Sequence, residues 1–156
     1  MKHIVCRRTA LGEIGISAGE AALTGLFFGV PAAAVGADAG CTPLIAEAFL
    51  QLDAWLSGDL RAFTLPLAPE GSGFKRRVWS ALSEIPYGQT RSYAEVAVAI
   101  GSPGASRAVG AACASNPLPI VIPCHRVVRS DGSIGGYLGG VPVKRWLLEL
   151  ERRNSP

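Results

Sequence analysis

The chain has 156 residues, 49% of them hydrophobic, with a formal net charge of +3. That length holds one ordinary domain or two small ones, and the hydrophobic fraction is ample for a packed core. Four cysteines without a CxxC pair exclude a disulfide scaffold and fit free thiols in a reducing compartment.

In chain order, residues 2–6, 13–17 and 22–29 read as short strands, with turn chemistry at Gly12 and at Ala18-Gly19-Glu20. They make a small antiparallel sheet. The apolar stretch from Ala21 to Ala37 is broken by Gly25, Gly29, Pro31 and Gly36 and is short for a membrane span; it also starts late for a signal peptide. Residues 32–41 are Ala/Gly-rich and read as loop. Thr42-Pro43 opens a helix, with Thr as cap and Pro at the first position. Leu44, Ala48, Phe49, Leu52, Trp55 and Leu56 form its apolar face.

Residues 59–72, with Pro66, Pro69 and Gly71, read as a joint between domains spanning 1–70 and 71–156. Charge divides there too. Residues 1–70 carry four Lys/Arg against seven Asp/Glu, net −3, whereas residues 71–156 carry eleven against five, net +6. This asymmetry suits a polyanionic partner for the second half, although a solvated basic face has the same composition.

The second half starts with a helix from about Ser72 that carries Phe74, Val78, Trp79, Leu82 and Ile85 at helical spacing. Ser92 caps a short helix striped by Tyr93, Val96, Ala97 and Ile100. Gly101-Ser102-Pro103-Gly104 turns the chain into another helix, about Ala105 to Ala114. The pair reads as helix-turn-helix or as a plain helical corner. Arg107, Gly110, Ala111 and Ala114 share one face of the second helix. That face has one long side chain and otherwise almost none, which suits close approach to a narrow surface or tight packing on another helix. Beyond it, Ile120 to Ile122 reads as a buried strand stopped by Pro123. Asp131-Gly132 marks a turn, residues 133–140 a Gly-rich loop without a phosphate-binding ending, and Val143 to about Arg153 a helix burying Trp146, Leu147 and Leu150.

The chemistry centres on Pro123-Cys124-His125-Arg126. A thiol is nucleophilic only as thiolate, and a neighbouring imidazole or guanidinium favours that form. A cysteine in apolar surroundings is equally at home as an inert core residue. Local chemistry leaves both readings open.

The segment Ile122-Pro123-Cys124-His125-Arg126-Val127 resembles the active-site signature of the O6-alkylguanine-DNA alkyltransferases, the methylated-DNA–protein-cysteine methyltransferases. Phe74, Val78-Trp79, Ile85-Pro86, Gly88, Thr90, Ser92-Tyr93, Arg107-Ala108-Val109-Gly110, Asn116-Pro117, Gly136-Tyr137 and the run from Lys144 to Leu148 follow the family's order and spacing. Lys75 stands where the family usually has Gln. The resemblance covers roughly residues 72–153, and the first seventy residues are only loosely similar to the family's N-terminal domain.

The resemblance implies an α+β protein: a small N-terminal α/β domain of ribonuclease H-like type, then a mostly helical C-terminal domain with a helix-turn-helix. It implies direct, irreversible transfer of an alkyl group from O6-alkylguanine to Cys124, one event per molecule, with O4-alkylthymine as a further candidate substrate. Cys124, His125, Glu151, Tyr93 and Asn116 match the catalytic positions. Glu151 orients His125, which acts on Cys124 through a water; Tyr93 lies near guanine N3, and Asn116 is a hinge. DNA contacts fall on Arg107, Gly110, Ala111, Ala114, Thr90 and Ser92. In the family this helix enters the minor groove and its Arg takes the place of the flipped base. The base pocket is carried by Tyr93, Pro119, Val127, Tyr137 and Leu138, with the Val127 carbonyl in guanine recognition. The expected partner is double-stranded DNA, with no membrane and no cofactor, for a monomer in the cytoplasm, or the nucleus of a eukaryote. His3, Cys6 and Cys41 lack a zinc spacing, so no metal is expected. A silent lesion-binding module and a cysteine hydrolase are the competing classes; the first would leave Cys124 unmodified and the second would turn over.

Overall fold

The computed structural model describes residues 3–29 and 40–155. Most of the loop expected over residues 32–41 and part of the apolar stretch lie outside them. The chain divides into two compact units, Met1–Glu70 and Gly71–Pro156.

In the first unit, β1 (His3–Thr9), β2 (Gly12–Ala18) and β3 (Leu23–Phe28) form an antiparallel sheet in the order β1-β2-β3. Its register, Val5 opposite Ile16 and Ile16 opposite Leu26, puts these three buried residues on one face. The Thr9 hydroxyl closes the first turn, accepting from the Leu11 amide and donating to the Gly12 carbonyl. Thr42 caps α1 (Pro43–Leu56) by accepting from the Ile45 amide. The helix buries Ile45, Ala48, Phe49, Leu52, Trp55 and Leu56. Ile45, three and four residues before Ala48 and Phe49, heads this buried stripe, and Leu44, expected there, is only half-buried at its edge.

In the second unit, Ser72 caps α2 (Gly73–Ser83), which buries Val78, Trp79 and Leu82. The Trp79 indole donates to the Ala112 carbonyl at 2.9 Å, tying α2 to α4 (Ser106–Ala114). Ser92 and Glu95 form a reciprocal capping box at the start of α3 (Tyr93–Ala99). Just before α3, β4 (Arg91–Ser92) runs parallel to β5 (Val127–Val128), with Arg91 opposite Val127 and Ser92 opposite Val128. This short ladder joins the entry to α3 to the strand that follows the Cys-His-Arg segment. The chain ends in α5 (Val141–Arg153).

Two further sequence expectations need correction. Ile120 to Ile122 is buried but is no strand: Ile120 has φ +74° and the segment is a turn, closed by the Ile122 amide on the Leu118 carbonyl at 2.8 Å. Asn116 supplies what a ladder would have given. Its amide nitrogen donates to the Ile122 carbonyl at 2.8 Å and its oxygen accepts from the Leu118 amide at 2.9 Å. A left-handed backbone at a β-branched residue is costly and persists only where its surroundings fix it, as Asn116 and the apolar contacts of Ile120 do here. On α5, Trp146 is only half-buried, and the position turned fully inward is Lys144.

Candidate active site

Pro123 ends the turn, and Cys124–Arg126 form one turn of 3-10 helix. All three side chains are buried. Three polar residues in the core require partners, and one carboxylate supplies two of them. Glu151, on α5, accepts from His125 Nε2 at 2.5 Å and from Arg126 Nε at 2.9 and 3.0 Å, and its Oε1 also accepts from the Gly88 amide at 2.8 Å. Arg126 spends a further donor on the Ile85 carbonyl at 2.7 Å.

Burial alone would push the Glu151 carboxyl up, but the hydrogen bonds and charges of His125 and Arg126 hold it below its ordinary value. It is therefore an anion, and the bond to His125 Nε2 carries its proton on the histidine. The basic ring nitrogen is then Nδ1. Burial lowers the His125 pKa despite Glu151, which keeps the imidazole neutral near pH 7, as a base must be. Cys124 is pushed up to about 11 by burial, against the opposing effects of the Asn116 amide and the Lys144 charge. At rest it is a thiol.

Cys124 opens onto a cavity of about 290 Å³ lined by Tyr93, Gly110, Cys113, Ala114, Cys124, Gly136, Tyr137 and Leu138. This is at the small end of ligand pockets. Tyr93 comes from the start of α3, Gly110 to Ala114 from α4, and Gly136 to Leu138 from the Gly-rich loop. Gly135 has φ +73°, and a Cβ there would lie 3.0 Å from the Tyr93 hydroxyl, so only glycine lets the loop pass the phenol this closely. Burial raises both Tyr93 and Tyr137, so both phenols keep their protons. A larger cavity of about 610 Å³ between α2 and α3 is lined by none of these groups.

The remaining residues singled out in the sequence fall as follows. Pro119 and Val127 are buried but do not line the cavity. Arg107, Ala111 and Ala114 are exposed along α4, and Gly110 is half-buried, facing the Tyr93 ring across the cavity. Thr90 is exposed beside β4, whereas Ser92 is committed to its cap.

Two site residues escaped the sequence. Lys144 is fully buried, and its amine donates to the Val127 carbonyl at 2.6 Å and to the Gly136 carbonyl at 3.1 Å. Its hint was its place at the inward spacing of Leu147 and Leu150, where a lysine is out of keeping. Cys113 adds a second thiol to the pocket, pushed up to about 12 chiefly by burial. Among the described residues no group of His, Cys, Asp and Glu could hold a metal, and no helix is long and apolar enough to cross a membrane.

A thiol at the wall of a small cavity, followed in the chain by an imidazole bonded to a buried carboxylate, defines a protein suited to nucleophilic chemistry on sulfur. The family model for the 6-O-methylguanine DNA methyltransferase DNA-binding domain matches residues 73–153. The methylated-DNA–protein-cysteine methyltransferase of Methanosarcina barkeri is 56% identical over 108 residues, 69% of this chain and 68% of that protein. The constitutive enzyme of that name from Bacillus subtilis is 40% identical over 97% of this chain and 96% of its own. Among solved structures, Mycobacterium tuberculosis OGT in complex with DNA matches with a TM-score of 0.85 and 41% identity, covering 99% of this chain and 95% of that one. The chain belongs to the methylated-DNA–protein-cysteine methyltransferase family, an enzyme family of the cysteine S-methyltransferase class.

Proposed function

We propose that the protein repairs DNA by moving an alkyl group from O6-alkylguanine in a duplex to Cys124, irreversibly and once per molecule. The observation that carries this reading is the pairing of Cys124 and Tyr93 on one small cavity, with the next residue, His125, bonded to the buried Glu151. The neutral His125 takes the Cys124 proton through a bridging water, and Glu151 supports the resulting imidazolium. The thiolate attacks the alkyl carbon as the carbon–oxygen bond breaks, and Tyr93 gives its proton to guanine N3, so a neutral base departs. The product is a thioether, which water does not cleave.

The target carbon lies inside the stack, so the base must be turned out at a cost of a few kcal/mol. We assign α3 and α4 to a helix-turn-helix and the exposed Arg107, Ala111 and Ala114 face, with Gly110, to the minor groove. The near absence of side chains gives depth without base-edge readout. Arg107 then fills the space left by the base, and Thr90 adds a backbone contact. Residues 71–156 form the alkyl-transfer domain in this reading. The first unit, with an antiparallel sheet and one helix, is read as the ribonuclease H-like domain, in a monomeric protein. O4-alkylthymine is a further candidate substrate.

Replacement of the nucleophile tests the assignment. Cys124→Ser should bind an O6-methylguanine duplex as tightly as the parent and transfer nothing. Transfer at the parent rate would refute it.

A further inference from the structure

We infer that Arg129 is a positioning residue for the transfer: its cation stands beside Tyr93 and steadies the phenolate that Tyr93 becomes when it protonates the departing guanine. The inference rests on the proposed role of Tyr93 as proton donor.

Three observations carry it. The parallel ladder pairs Arg91 with Val127 and Ser92 with Val128, so Tyr93, the first residue of α3, and Arg129 each directly follow one of its two last paired residues. Arg129 also opens the tight loop that returns past Tyr93. Its amide donates to the Ser133 carbonyl at 3.0 Å and its carbonyl accepts from the Gly132 amide at 2.9 Å, after which Gly135 passes against the phenol. Finally, Arg129 is exposed, and its guanidinium makes no hydrogen bond or close ion pair among the described residues, although its charge is also felt by Asp131 and Lys144.

The other groups around Tyr93 leave this place open. Cys113 from α4 and Cys124 from the 3-10 turn both disfavour a phenolate once charged, adding to the effect of burial, and Arg129 alone opposes them. Lys144 from α5 sits 5.9 Å from the Tyr93 ring centroid with its amine donating to the Val127 and Gly136 carbonyls, and its charge acts on the Cys124 thiol. Asp131, in the same loop, accepts from the Ser133 amide at 2.9 Å and hydroxyl at 2.7 Å; these bonds chiefly hold its carboxyl low, and the Arg129 charge adds to them without a close ion pair.

The step balances. Cys124 loses a proton to His125, sulfur gains the alkyl carbon, the carbon–oxygen pair goes to guanine, and Tyr93 protonates guanine. The proton on His125 is released to solvent and Tyr93 regains one, so the net change is thiol plus O6-alkylguanine to thioether plus guanine.

Alkylation of the intact protein by free O6-benzylguanine tests this without DNA. Arg129→Gln should react about three- to tenfold more slowly, a modest part of the effect of a general acid, and Arg129→Lys should stay near the parent rate. The alkaline limb of the rate profile should move to higher pH in Arg129→Gln, because Tyr93 holds its proton more tightly. In a Tyr93→Phe background the Arg129→Gln change should add nothing. A parent-like rate with free base together with weaker duplex binding would make Arg129 a phosphate contact and overturn the inference. So would an equal loss in the Tyr93→Phe background. If Tyr93→Phe alone reacts at the parent rate, the donor role itself fails, a result distinct from failure at Arg129.

Discussion

The amine of Lys144 donates to the carbonyl of Val127, three residues after the nucleophile, at 2.6 Å. A buried lysine keeps its charge only where it finds acceptors, and here the Val127 and Gly136 carbonyls provide them. Burial pulls Lys144 down, but its cation still lowers the Cys124 pKa. Lys144→Met should therefore move Cys124 above its present value of about 11. Two carbonyls would also lose their donor, so stability should fall by about 1–3 kcal/mol. Thiolate absorbance titration and urea unfolding check the two parts, and an unchanged Cys124 titration would count against electrostatic support.

Glu151 balances a buried imidazole and a buried guanidinium at once. Glu151→Gln leaves Arg126 without its counter-charge, and breaking a buried pair in this way costs about 3–5 kcal/mol. It also removes the group that raises the His125 pKa, making His125 a weaker base. Stability and transfer rate should fall together. Adding Arg126→Met should restore part of the stability but not the rate. Recovery of both would remove Glu151 from the proton path.

Alkaline pH should weaken the fold through Cys124. Its folded pKa, about 11, lies above the ordinary 9.0, so the native state holds the proton longer than the unfolded chain. Its stabilising effect is complete below the unfolded value and disappears as pH rises toward the folded one. Unfolding free energy should drop on the order of 2 kcal/mol across that window from this group. Cys124→Ala should show a shallower fall, and identical slopes would show that the thiol is not held in its neutral form.

Arg107 is the one long side chain on the exposed small face of α4. Arg107→Ala should slow repair of duplex O6-methylguanine at least tenfold, since an unfilled stack costs a few kcal/mol, while reaction with free O6-benzylguanine stays unchanged. Equal losses on both substrates would exclude a filling role.

The sequence carried much of this site because its chemistry is local. Cys124, His125 and Arg126 are consecutive, the caps at Thr42, Ser72 and Ser92 sit where their residue types ask, and the bare face of α4 shows in the spacing of Arg107 and Gly110. Long-range terms were illegible. Ile120 to Ile122 has strand composition, but the Asn116 side chain, not a neighbouring strand, takes its backbone groups. A lysine on a terminal helix reads as solvated, and only the carbonyls of Val127 and Gly136 reveal why Lys144 is buried. Cys113 escaped because it lies beside the exposed stripe of α4, and only the fold turns it toward Cys124.

The central claim is that Cys124 is consumed by a single transfer, and intact mass measured after mixing with excess O6-methylguanine duplex tests it most directly. One methyl group, about 14 Da from a single nucleophile, should appear on every active molecule, map to Cys124 rather than Cys6, Cys41 or Cys113, and coincide with a plateau of one repaired guanine per protein. Repair continuing past one equivalent, tight lesion binding with no gain in mass, or a methyl group on Cys113 would contradict the account.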